Sequence, residues 1–190
     1  MTVTRVTPKP NNAAEGLDPR VSPPPMQYCR RCCYPIVAAV PIKLDAEGIC
    51  TGCRTHEEQA AIDWAEREKW FRELTSQYRS KDGKNYDCVI PVSGGKDSFY
   101  QVHIARQYGL NPLLVTYNEN NTTPVGLRNL QRMREAFGCD HIHFTPSVPV
   151  LKKLNRVGFR KMGDSDMHAH MGIETYPIQV AAKYGISLII

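Results

Sequence analysis

Two groups of residues have the types and spacing to do chemistry. The first is the run Pro91-Val92-Ser93-Gly94-Gly95-Lys96-Asp97-Ser98. Paired glycines let a backbone turn tightly and approach an anion with no Cβ in the way. Placed between a strand and a helix, such a run points the first helical amides, with the helix dipole behind them, at a bound phosphate. Ser93 and Ser98 can donate hydroxyl hydrogen bonds, and Lys96 can neutralise phosphate charge. Asp97 would repel a bare phosphate, which calls for a bridging Mg²⁺. The spacing is neither that of the G-x-x-x-x-G-K-[ST] loop nor that of the dinucleotide G-x-G-x-x-G loop. The bland alternative is a glycine turn with incidental polar residues.

The second group is Cys29-x2-Cys32 followed, 17 residues later, by Cys50-x2-Cys53. Each pair presents two thiolates on one tight turn, and two such turns make the closed tetrahedral site of a structural Zn²⁺. Metal binding would hold together a segment too short to own a core. Cys33 leaves the assignment open, since it could replace Cys32 in a C-x3-C pair; the x2 match favours Cys32. Disulfides and an iron–sulfur cluster are the competing readings. Cys88 reads as a core residue and Cys139 follows a helix stop. The odd total of seven cysteines argues against a fully paired disulfide framework and for a reducing, cytoplasmic setting. No apolar run approaches the roughly 20 residues of a membrane span, and the first residues lack a signal-peptide core, so no membrane partner is expected.

Other signals are weaker. His141 and His143 lie two apart on a strand and share a side, whereas His168 and His170 fall in a loop near Asp164 and Asp166. An isolated H-x-H is more often incidental than a site. Lys152, Lys153, Arg156, Arg160 and Lys161 form a stretch with no acid between them, either a solvated helix face or a seat for an anionic substrate. The net charge of +5 permits nucleic acid without demanding it.

The elements that must position these groups follow from pattern. Of the 190 residues, 42% are hydrophobic and 23% charged, the balance of a globular chain. Residues 1–27, with Pro23-Pro24-Pro25, read as a disordered tail. Residues 28–54 form the cysteine module. Residues 55–85 supply a connecting amphipathic helix and linker, with a capping box at Thr55 and Glu58 and an apolar face of Ala61, Trp64, Phe71, Leu74 and Tyr78. From Tyr86 strands and helices alternate. Strands are expected at 87–92, 113–117, 141–145 and 186–190, and helices at 97–108, 124–137, 149–157 and 177–184. Alternation of this kind implies an α/β fold, a doubly wound parallel sheet with helices on both faces. The end of the chain inside the last strand suggests a domain, 86–190, that is incomplete at its C-terminus.

The string Ser-Gly-Gly-Lys-Asp-Ser after a strand resembles the pyrophosphate (PP) loop of the ATP pyrophosphatases, enzymes with the adenine nucleotide alpha-hydrolase-like fold. The resemblance implies ATP as cofactor, Ser93, Gly94, Gly95, Lys96, Asp97 and Ser98 around its phosphates, Lys96 and Asp97 in catalysis, and Val115, Thr116 and Tyr117 near the adenosine. The full succession is Tyr-Cys-x2-Cys, Gly-x-Cys-x2-Cys-Arg, a charged helix, then YDCVIPVSGGKDS, LLVTYN, HFTPS and LKKLNR. It resembles the N-acetyl sugar amidotransferases of bacterial surface-polysaccharide assembly over residues 28–190. That resemblance implies ATP-dependent replacement of an acetamido oxygen by ammonia on a nucleotide-linked N-acetylated sugar. The ammonia would come from a glutaminase subunit with a barrel-shaped, cyclase-like partner. The alternatives are a tRNA-modifying enzyme with the same loop, of thiolase or lysidine-synthetase type, and a catalytically incomplete fragment. The modest charge and the lack of a basic stripe on the helix speak against nucleic acid.

Overall fold

Strand β1 (Cys88–Pro91) is apolar along its whole length, as a strand covered on both faces must be. The computed structural model describes residues 26–37 and 42–190, so the predicted tail lies, apart from its last two residues, outside the described residues. β1 pairs in parallel with β2 (Pro112–Tyr117), and β2 with β3 (His141–Phe144), from Cys88 opposite Pro112 to Tyr117 opposite Phe144. Helix α3 (Lys96–Gln107) connects β1 to β2, and α4 (Pro124–Phe137) connects β2 to β3. Helices α5 (Val148–Met162) and α6 (Met167–Tyr184) then carry the chain back to the far side of β1. There Ile189 makes a parallel bridge to Val89, with Val89 N donating to Leu188 O at 2.9 Å and Ile190 N donating to Val89 O at 3.0 Å. The expected fourth strand over 186–190 is thus a single bridge.

Two cores follow from the pleat. Cys88, Ile90 and Val92 on β1 and Leu114 on β2 pack with Val102, Ala105, Leu130 and Met133 of α3 and α4. The alternate residues Val89, Leu113 and Val115 pack with Val180 and Ala181 of α6. Helices therefore cover both faces of a parallel sheet, the doubly wound α/β architecture that the alternation predicts. The order in which segments are added to the sheet reverses at β1, which makes its carboxyl end the topological switch point where such sheets bind ligands.

Caps explain several boundaries. Thr123 Oγ1 accepts from Gly126 N at 3.1 Å, Pro124 opens α4, and Gly138 closes it at φ +58°. The helix expected at 177–184 instead begins at Met167 and runs through the buried Pro177. Pro177 has no amide for the carbonyl of Ile173, so one helical hydrogen bond is missing there while the helix continues on both sides. His168 and His170 consequently stand on α6, not in a loop.

The contact pattern divides the chain after Asp63. In the first unit, antiparallel bridges join Tyr28 to Pro35 and Leu44 to Cys50. The single amphipathic helix expected within 55–85 is two, α1 (Thr51–Ala60) and α2 (Trp64–Gln77). α1 begins four residues before Thr55, because the Cys50 sulfur caps it by accepting from Cys53 N. Nor does the expected apolar stripe bury broadly. Trp64, Leu74 and Tyr78 are exposed, and Thr75 is the buried residue of α2. In the second unit α2 meets α3 through Phe71, edge-on to Tyr108 at 5.0 Å, with the Arg72 guanidinium 4.5 Å over the same ring. Arg79 Nη1 donates to Gly109 O at 2.8 Å. Behind β1, the buried Asp87 carboxylate accepts from Ser80 N at 2.6 Å and Asn111 N at 2.7 Å, tying the α2–β1 connection to the start of β2.

Candidate active site and cysteine cluster

At the carboxyl ends of β1 and β2 lies a cleft of about 240 Å³, lined by Ser93 and Ser98 of the glycine loop and by Val115, Thr116 and Tyr117 of β2. Five of the residues expected to bind nucleotide thus share one cavity. Gly94, Gly95, Lys96 and Asp97 do not line it; they form the turn between Ser93 and Ser98 and the first residues of α3. The loop is held by its own side chains. Ser93 N donates to Ser98 Oγ at 3.1 Å, the two hydroxyl oxygens stand 3.4 Å apart, and Gly95 N donates to Ser93 Oγ at 3.4 Å. Gly94 has φ +79°, and a Cβ there would stand 3.0 Å from Gly126 O and 3.1 Å from Leu130 Cγ. This position needs glycine both for its backbone angle and for its closeness to α4.

Helix α3 starts at Lys96 with Gly95 at its N-cap, and no side chain caps the end. Its first amides and positive dipole end are therefore offered to an anion. Lys96 and Asp97 are both exposed, with Nζ 2.8 Å from Oδ1. Asp97 offers one carboxylate oxygen pair, which fits a Mg²⁺ that takes its remaining ligands from phosphates and water.

Thr116 is the least expected part of the cleft. Its Oγ1 donates to Val92 O at 2.5 Å and stands 2.9 Å from His141 Nε2. A hydroxyl has one proton, so with that proton on Val92 O the imidazole must be the donor, which fixes the Nε2–H tautomer. Burial, then the nearby charges of His143 and Arg134, pull the His141 pKa down to about 4, so the ring stays neutral at ordinary pH. His141 and His143 do stack, at 5.6 Å between centroids, as their shared strand face requires. His141 here supports Thr116, and the pair gathers no acidic ligand set. Burial and then Glu119 raise the Tyr117 pKa.

Pro91 and Val92, the first residues of the glycine-containing run, also line the cleft, as do residues the sequence did not point to: Glu119 and Thr122 after β2, Leu130 of α4, and Ile173 and Pro177 of α6. Glu119 and Thr122 lie just past the β2 residues already singled out, where position after a strand was the available signal. Ile173 and Pro177 are apolar residues far along the chain, and only the return of α6 across the sheet brings them here.

In the first unit, the sulfurs of Cys29, Cys32, Cys50 and Cys53 all lie within 4.8 Å of one another. Cys29 Sγ is 3.9 Å from Cys53 Sγ, and Cys32 Sγ is 3.7 Å from Cys50 Sγ. A tetrahedron with metal–sulfur bonds of about 2.3 Å has sulfur edges of about 3.8 Å, so the four thiols fit one Zn²⁺. Backbone amides support them: Cys50 N donates to Cys29 Sγ at 3.3 Å, and Cys53 N to Cys50 Sγ at 3.4 Å. Donation from the Cys32, Cys50 and Arg31 amides outweighs burial and brings the Cys29 pKa down to about 6. Burial and the neighbouring thiols push Cys53 up to about 12. Cys33, at φ +58°, stays outside the cluster, which resolves the choice left open by spacing in favour of Cys32. Around the cluster Arg54 pairs with Asp45 at 2.7 Å, with Glu57 at 3.0 Å, and with Glu47.

Among the described residues, no helix is long and apolar enough to cross a membrane. No family model and no curated protein matches the chain. Among solved structures it is similar to an NMN synthetase from Francisella tularensis, at 16% identity and a TM-score of 0.45, over 64% of this chain and 52% of that one. It is also similar to a predicted subunit of tRNA methyltransferase from Methanocaldococcus jannaschii, at 25% identity and a TM-score of 0.30, over 38% of this chain and 36% of that one. The chain thus spans about half the length of the NMN synthetase and about a third of the tRNA methyltransferase subunit. Neither likeness bears on activity, and the functional reading rests on the chain's own loop and cleft.

Proposed function

We propose that this chain is the ATP-binding part of an ATP pyrophosphatase-type enzyme, and specifically of an ATP-dependent N-acetyl sugar amidotransferase. The observation that carries the reading is the junction of the glycine loop, the uncapped start of α3 and the carboxyl end of β2 in one cleft at the switch point of a parallel sheet. A nucleotide triphosphate laid there would have its phosphates against residues 93–98 and its adenosine against Val115, Thr116 and Tyr117.

The chemistry is an activation followed by a displacement. The acetamido carbonyl oxygen of a nucleotide-linked sugar attacks the α-phosphorus of ATP. The bond to the bridging oxygen breaks and pyrophosphate leaves. The oxygen, a poor leaving group as a carbonyl, now belongs to an adenylate. Ammonia adds to the activated carbon, protons are lost from nitrogen, and AMP departs with the oxygen, leaving an acetamidino group. The chain's contribution is electrostatic: the α3 amides, the serine hydroxyls and Lys96 stabilise the charge that develops on the leaving pyrophosphate. Asp97 is the residue that would hold Mg²⁺, which supplies further charge neutralisation when bound. Zn²⁺ on Cys29, Cys32, Cys50 and Cys53 would be structural, since four sulfurs leave no open position. The glutaminase and cyclase-like subunits that supply ammonia are the partners this reading entails, in surface-polysaccharide synthesis in the cytoplasm.

The test is to incubate the chain with ATP, Mg²⁺, an ammonium salt and a panel of nucleotide-linked N-acetylated sugars, and to read products by mass spectrometry. AMP, pyrophosphate and a sugar lighter by one mass unit, formed together, are the expected products. AMP formation that no sugar in the panel stimulates would contradict the amidotransferase reading.

A further inference from the structure

Beside the nucleotide cleft, the second unit holds a groove of about 450 Å³ between α5 and α6. Tyr117 lines both cavities, so its ring is the wall between them. The ring is fixed in that place. It rests on the backbone of α6 at Gly172, where a Cβ would come within 2.4 Å of ring carbons, and it lies 5.8 Å from Phe144 and 6.3 Å from Tyr176. The opposite wall is fixed as closely. A Cβ on Gly158 would meet Asp164 O at 2.6 Å, so α5 lies directly against the turn that opens α6.

The lining has a definite chemistry. Leu154, Val157, Met167 and Met171 give it apolar sides. His168 adds a buried Nδ1 with no hydrogen-bond partner, which leaves a polar atom that a ligand could satisfy. Lys161 adds a cation. The other bases of the α5 stretch, Lys152, Lys153, Arg156 and Arg160, do not line the groove. A volume of this size, largely apolar with few polar groups, suits a small molecule.

We infer that this groove seats the acceptor sugar of the reaction proposed above, on which reading the inference rests. An N-acetylated sugar has a methyl group and carbon–hydrogen faces for the Met and Val side chains, hydroxyl or amide groups for His168 Nδ1, and a diphosphate linkage for Lys161. The oxygen to be adenylated must reach the α-phosphate of a nucleotide on the other side of Tyr117, and a groove sharing that wall places it next to the cleft. Tyr117 is then a positioning residue for both ligands. His168 and Val157 determine specificity on the sugar side.

Two calorimetric titrations test this, one with ATP–Mg²⁺ and one with a panel of uridine- and guanosine-diphosphate-linked N-acetylated sugars, on the full chain and on two variants. Val157→Trp fills the groove, and His168→Leu removes its polar atom with little change of shape. Thermal melts first establish that both variants are folded. The expected result is a loss of roughly tenfold or more in affinity for the sugar in each variant, the effect of one lost buried contact, with ATP affinity unchanged. Sugar binding equal in the parent and both variants would overturn the groove assignment and leave the amidotransferase reading standing. A parent chain that binds ATP but no sugar in the panel would overturn both together.

Discussion

Gly94 stands against the first turn of α4, where its missing side chain leaves room for the carbonyl oxygen of Gly126 only 3.0 Å from where a Cβ would sit. The glycine loop is therefore set by a helix that begins 30 residues after Gly94, beyond β2. Loop shape and α4 position are one structural feature.

The first prediction follows from that relationship. Gly94→Ala adds both a left-handed backbone penalty of about 1–2 kcal/mol and a collision with Gly126 and Leu130. The expected outcome is a lower melting temperature and a loss of ATP binding larger than the loss of stability explains. Gly163→Ala, at φ +72° with open space around it, carries the backbone penalty alone and should leave ATP affinity intact. Comparing the two by thermal melts and ATP titration separates loop geometry from general strain.

Thr116 provides the second. Thr116→Val keeps the volume but removes the donor to Val92 O and the acceptor for His141 Nε2, leaving buried polar atoms unpaired. A cost of about 1–3 kcal/mol is expected. Thr116→Ser, which keeps the hydroxyl, should recover most of it in denaturant titrations.

His141 gives a pH dependence. Its pKa in the fold is lowered to about 4 from an ordinary 6.5, so between those values the unfolded chain binds more protons than the folded one. Its contribution to stability is complete above pH 6.5, declines as pH falls toward 4, and changes no further below that. His141→Gln can still donate to Thr116 but does not titrate. Its stability relative to the parent should rise as pH is lowered through this window, read from denaturant midpoints at several pH values. A constant difference would contradict the assignment.

The cysteine cluster gives the fourth. Cys32→Ser or Cys53→Ser should lose the bound zinc and loosen the first unit, whereas Cys33→Ser should keep one equivalent, because its side chain lies outside the cluster. Metal analysis of the purified variants decides it. Retention of zinc in Cys32→Ser with loss in Cys33→Ser would reverse the ligand assignment.

How far these features were legible differs from residue to residue. Residues 93–98 stand out in the sequence because a phosphate site of the proposed kind would need glycines and small hydroxyls in a fixed order. Cys29, Cys32, Cys50 and Cys53 do so because metal geometry restricts spacing; only the fold sets Cys33 apart, since a one-residue shift also makes a plausible pair. The N-terminus of α1 was misread because a cysteine sulfur caps it, and cysteine is not among the usual capping types. The start of α6 was misread because Gly163, Asp164, Ser165 and Asp166 resemble a loop and Pro177 resembles a first helical residue. Exposed apolar residues on α6, Met171, Ile173 and Ile178 among them, also blur the contrast between faces that would give it a clear period. Ile173, Pro177 and the groove beside Tyr117 depend on which way α6 crosses the sheet, and no local pattern encodes that.

The central claim is that residues 93–98 bind the phosphates of ATP, and equilibrium titration of the folded chain with ATP–Mg²⁺, beside Lys96→Ala, tests it most directly. The account predicts saturable binding by the parent and affinity roughly tenfold weaker in the variant, the loss of one charge-assisted contact to phosphate. A folded parent that binds no ATP, or a Lys96→Ala variant that binds it equally well, would contradict the assignment.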